Sequence, residues 1–95
     1  GENILKKVVS LYLDSSLKLM QGLREALDGK NGEAFTRAAH TLKSSSAYLG
    51  ALNFSGMCKE LELLGRAGAL EGAAPRRAAL DAEYERVREA LAKLL

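Results

Sequence analysis

Residues Ala39 to Ala51 run AHTLKSSSAYLGA and contain the chain's one histidine, His40. Lys43 follows three residues later, and Ser44, Ser45 and Ser46 come directly after it. An imidazole and an ammonium one helical turn apart suit chemistry on an anion. The ring offers a lone pair, and the cation neutralises what the ring receives. Other chemistries meet obstacles here. A metal needs three or four ligands, and the chain has no second histidine; its lone Cys58 falls on the apolar face of another segment. Ser–His nucleophilic catalysis needs a pocket and an orienting carboxylate, and the sequence makes neither evident. No glycine-rich phosphate loop occurs, which leaves a nucleotide site unsupported. What remains is His40 as a nucleophile towards phosphorus. An ordinary imidazole, with a pKa of about 6.5, is largely neutral near pH 7 and keeps a lone pair on one ring nitrogen. The phosphoramidate so formed is negatively charged, and Lys43 is placed to stabilise it. Phosphoryl transfer demands mainly positioning and charge neutralisation. A partner would then bring the metal ion and the second phosphoryl acceptor.

The elements that must hold this pair are helices. Ala, Leu, Glu, Lys and Arg dominate, β-branched residues are few, and Pro75 is the single proline. From about Asn3 to Asp28 two apolar sets fit a 3.6-residue period: Leu5, Val8, Val9 and Tyr12, then Leu17, Met20, Leu23 and Leu27. Between them Asp14, Ser15 and Ser16 fit either a cap that starts a second helix or a bend in one long helix. The stretch Asp28 to Gly32 is a turn, with Gly29 suited to the left-handed conformation that ends helices. A second helix is expected from about Gly32 to Leu49, with Phe35, Ala38, Ala39, Leu42, Ser46 and Leu49 on one face. A third follows Gly50 and carries Phe54, Met57, Cys58, Leu61 and Leu64 inward. A fourth begins near Pro75, whose fixed φ suits a first helical turn. Its apolar positions, Leu80, Tyr84, Val87, Leu91 and Leu94, alternate by four and three, the seam of a helix packed nearly antiparallel to its neighbours. The expected fold is all-α, an antiparallel up-down four-helix bundle formed by residues 1–95 as a single domain.

A helical wheel then separates the neighbours of His40. With the buried face centred on Phe35, Ala39, Leu42, Ser46 and Leu49, His40 lies roughly 140° away and Ser44 about 180° away. Thr36, Lys43 and Ala47 fall on the same outer half, with Glu33 and Arg37 close by. His40 is therefore expected to be exposed in mid-helix. Ser44 and Ala47 are short enough to let a partner surface approach the ring. Ser45 and Ser46 lie towards the core, where their hydroxyls can bond back to the preceding turn.

Composition narrows the setting. Ninety-five residues form one small domain, and 47% apolar with 27% charged residues is an ordinary balance for a folded soluble chain. A net charge of +2, with acidic and basic residues interspersed, gives no basic stripe and no argument for nucleic acid. No apolar run approaches the roughly 18 residues of a membrane span, and no signal peptide is visible. A buried structural Cys58 in a reducing, cytoplasmic compartment is the expectation.

The segment AHTLKSSSAYLGA resembles the motif of histidine phosphotransfer domains of bacterial phosphorelays, commonly His-x-x-Lys-Gly-x-x-x-x-x-Gly. His40, Lys43 and Gly50 match it in type and spacing. The similarity runs over nearly the whole chain, including LYLDSSLKLMQGLREAL before the motif and CKELELLGRAG after it. The resemblance implies that His40 takes a phosphoryl group from the aspartate of one receiver domain and passes it to that of another. Lys43 would assist electrostatically; the partner would dock on the outer face already described, at Thr36, Arg37, Ser44 and Ala47. It implies no cofactor in this chain, with Mg²⁺ on the receiver, and a monomeric domain that makes no membrane contact itself. The module would be free-standing or the C-terminal part of a hybrid sensor histidine kinase, without ATP binding of its own. Ser44 departs from the family's usual glycine. The alternative is a helical docking module that binds a receiver or kinase without being phosphorylated.

Overall fold

The structure is a computed structural model and describes residues 2–95. Helix α1 spans Glu2–Asp28, α2 Gly32–Tyr48, α3 Leu52–Arg66 and α4 Arg77–Ala92; two short 3-10 turns, Leu70–Gly72 and Ala74–Arg76, link α3 to α4. The helix is unbroken through Asp14–Ser16, so α1 is one helix of 27 residues. Pro75 sits at the start of the second 3-10 turn, just before α4 rather than within its first turn. Cross-helix pairs show the alternation of direction. Tyr12 meets Ser46, Ser16 meets Tyr84, Ser55 reaches the carbonyl of Lys43, and Arg77 reaches Asp28. The expected antiparallel four-helix bundle is what forms, about 43 Å long.

The connections explain why the helices stop where they do. After α1, the Asn31 amide bonds the Ala26 carbonyl at 2.8 Å and the Lys30 amide bonds Leu27 at 3.2 Å. That pattern needs a left-handed residue, and Lys30 supplies it with φ 55°, where the sequence suggested Gly29. Asn31 then caps α2 by accepting from the Ala34 amide at 3.1 Å. After α2 the same pattern recurs, Ala51 to Ser46 at 2.9 Å and Gly50 to Ala47 at 3.0 Å, with Gly50 at φ 81°. The last glycine of the motif is thus a backbone requirement, because a side chain there is strained.

Phe35, Ala39 and Leu42 of α2 meet Phe54, Cys58 and Leu61 of α3, Met20 and Leu23 of α1, and Leu80 and Tyr84 of α4. The rings of Phe54 and Tyr84 lie 5.5 Å apart and tilted. Burial pushes the Cys58 thiol up to about 12. Two hydroxyl pairs cross this core: Tyr12 Oη with Ser46 Oγ at 2.6 Å, and Ser16 Oγ with Tyr84 Oη at 2.8 Å. Ser46 is inward as expected, yet bonds another helix instead of its own preceding turn; Ser45 does bond back, to the Thr41 carbonyl at 2.9 Å.

Three expected core positions are exposed. Leu17 is displaced from the inner stripe of α1 by Ser16 and Met20, which sit 100° and 60° around the wheel from it. Leu5 lies beyond Tyr12, which already faces Ser46 two residues from the end of α2, so little of α2 runs beside it. Leu94 follows the last helical residue of α4. Among the described residues no helix is long and apolar enough to cross a membrane.

Candidate functional site

His40 projects from the middle of α2, with 52% of its side chain exposed. Its Nδ1 lies 2.9 Å from Oε2 of Glu62 on α3. Glu62 is an acid in a core position: only 6% of its side chain is exposed. The same Oε2 accepts from Arg66 Nε at 3.0 Å and Nη2 at 2.6 Å. The other oxygen, Oε1, lies 2.7 Å from Lys43 Nζ, a close ion pair outside hydrogen-bond geometry that leaves Oε1 without an aligned donor. One carboxylate therefore gathers three nitrogen side chains. Lys43 and then Arg66, with a smaller contribution from His40, hold the Glu62 carboxyl down at about 2 against the cost of its burial.

That ionised carboxylate decides the tautomer. It can only accept, so the neutral ring must carry its proton on Nδ1 and leave the Nε2 lone pair free. Nε2 has no hydrogen-bond partner among the described residues. His40 thus offers a nucleophilic nitrogen on the side facing away from Glu62.

Close packing of α2 on α3 brings these groups together. A Cβ added to Gly65 would stand 2.1 Å from Thr36 Oγ1 and 3.2 Å from Phe35 Cδ1, so only glycine lets the helices approach here. Thr36 Oγ1 is held in place there by donating to the Gly32 carbonyl of its own helix at 2.7 Å. Further along, Ser55 Oγ donates to the Lys43 carbonyl at 2.8 Å and pins the other end.

Among the anticipated residues, Thr36, Arg37 and His40 line one open cleft with Glu33, Thr41, Gly65 and Arg66. Thr36 is half-buried against α3, not free on the outer face, and Arg37 is paired with Glu33 at 2.8 Å. Ser44 and Ala47 are exposed one and two turns beyond His40, outside that cleft. Lys43 is on the His40 side as expected, but with only 29% of its side chain exposed and its charge already engaged. The sequence reading found no orienting carboxylate; Glu62 is one, and it and Arg66 were missed. A signal existed. Glu62 lies four residues after buried Cys58 and four before Arg66, so it falls on the inner stripe of α3, where a carboxylate must find partners.

The Hpt domain family model matches residues 7–90. The chain belongs to that family. Histidine phosphotransfer in phosphorelay signalling is accordingly its function, and Hpt domains do this work with receiver domains. The fold of this Hpt domain is similar to the crystal structure of histidine-containing phosphotransfer protein B (HptB) from Pseudomonas aeruginosa PAO1. The TM-score is 0.88 at 27% identity, over 93% of this chain and 76% of that one. No curated protein sequence matches this Hpt domain.

Proposed function

We propose that His40 is the phosphoryl-accepting residue, taking the group on Nε2 from a receiver-domain aspartate and returning it to another. The observation that carries this reading is the Nδ1–Glu62 contact at 2.9 Å, which leaves Nε2 unprotonated on a half-exposed ring of the chain's one histidine. As the Nε2–P bond forms, the aspartyl O–P bond breaks and the aspartate recovers its carboxylate. Lys43 is the nearby cation for the charge that arrives, placed one helical turn beyond His40 and paired with Glu62 at 2.7 Å. Mg²⁺ belongs to the receiver on this reading, and the domain acts as a monomer in the cytoplasm without binding ATP. Thr36, Arg37, Ser44 and Ala47 form part of the docking surface.

The test is incubation with a phosphorylated receiver, following acid-labile, alkali-stable label. Wild type takes up the label and passes it to a second receiver, while His40→Gln takes up none. Equal labelling of His40→Gln would refute the assignment. Receiver binding that persists without any label on wild type would instead favour a docking module.

A further inference from the structure

Nε2 attack leaves open the fate of the one proton on the ring nitrogens, that on Nδ1. The neutral ring enters the reaction with Nδ1–H and no proton on Nε2. When the Nε2–P bond forms at the expense of the aspartyl O–P bond, no proton has left, and the ring is an imidazolium bearing the phosphoryl group. From that form the N–P bond breaks easily, because its electron pair returns to a neutral imidazole. If Nδ1 loses its proton, the leaving group becomes a far more basic imidazolate and transfer onward slows.

We infer that Glu62 holds the Nδ1 proton on phospho-His40, keeping the phosphoryl group in the form that can leave again. This rests on His40 being the acceptor. The groups facing the ring come from both packed helices: Arg37 and Lys43 from α2, Glu62 and Arg66 from α3, with Glu33 neutralising Arg37. Glu62 touches Nδ1 directly, whereas the two cations beside it are aimed at its own oxygens. Those cations also make Glu62 a poor base, so it stabilises the proton in place without removing it. The charge balance agrees. With an imidazolium ring, Lys43, Arg66, Glu62 and a dianionic phosphoryl group sum to zero; loss of the ring proton would leave a net negative charge beside the buried Glu62 carboxylate. Glu62 is therefore a positioning residue for the return step as well as the forward one.

The experiment phosphorylates the full domain through a receiver and follows ring ¹⁵N signals of phospho-His40 against pH. A phosphorylated peptide of residues 36–46 serves as reference. The Nδ1 midpoint in the domain is expected at least one pH unit above that of the peptide, corresponding to about tenfold tighter proton retention. Glu62→Gln keeps an acceptor for Nδ1 but removes the charge. It should bring the midpoint down by about one unit and slow return transfer about tenfold at alkaline pH, with little change at acidic pH. A domain midpoint equal to or below the peptide's overturns the inference, whether or not the variant folds. So does an unchanged midpoint in folded Glu62→Gln. Absence of any phosphoryl group on His40 in wild type would overturn the proposed function, and this inference with it.

Discussion

At the residue scale, Glu62 ties the stability of the domain to its chemistry. Its carboxyl is held at about 2 in the fold, below the usual glutamate value of about 4.5, so the folded state binds that proton less readily than the unfolded chain. The stabilisation is fully present above pH about 4.5 and is lost progressively as pH falls towards 2. Glu83 is also held low, first by Arg86, so the slope of wild type alone mixes several groups. The difference between wild type and Glu62→Gln isolates one. Urea unfolding should show Glu62→Gln less stable by about 2 kcal/mol at neutral pH, from hydrogen bonds to a charged group, and the gap should close near pH 2. A gap that stays constant over that range would mean the carboxylate charge contributes nothing. His40 and Lys43 were visible in the sequence because their spacing lies within one helix. Glu62 was not, because its partners stand 22 and 19 residues earlier and meet it only through a helix–helix contact.

At the element scale, the α2–α3 contact is set by one missing side chain. Gly65→Ala places a methyl against Thr36 Oγ1 and Phe35, and overpacking of this kind costs about 1–3 kcal/mol. Thermal unfolding should show that loss. Phosphotransfer should fall too, since spreading the helices draws Glu62 from His40. Adding Thr36→Ala removes the hydroxyl at 2.1 Å and should restore part of the stability; no recovery would place the strain elsewhere. The turn after α1 predicts the opposite sign. Lys30→Gly relieves a left-handed lysine and should stabilise by about 0.5–1 kcal/mol, net of the extra freedom glycine gives the unfolded chain. Helix number and approximate ends followed from apolar period and punctuation. The left-handed residue did not, because the Schellman geometry at Asn31 and Ala26 fixes its position one residue beyond the glycine.

At the scale of the whole molecule, the bundle is knitted by hydroxyl pairs as well as apolar burial. Tyr84→Phe leaves Ser16 Oγ, fully buried, without its strongest partner and should cost about 1–2 kcal/mol. A smaller change in chemical denaturation would mean that water takes the vacated place. The inward role of Ser16 was hidden in sequence beside Asp14 and Ser15, where it resembled a helix cap; its partner is 68 residues away. Cys58 lies at the middle of the same core, wholly shielded, with its thiol far from ionised at neutral pH. Alkylating reagents can therefore reach it only when the bundle opens. The rate of its capture is a clock for that opening, readable by mass alone in wild type and in each variant above, without a dye, a tag or a phosphate in the tube.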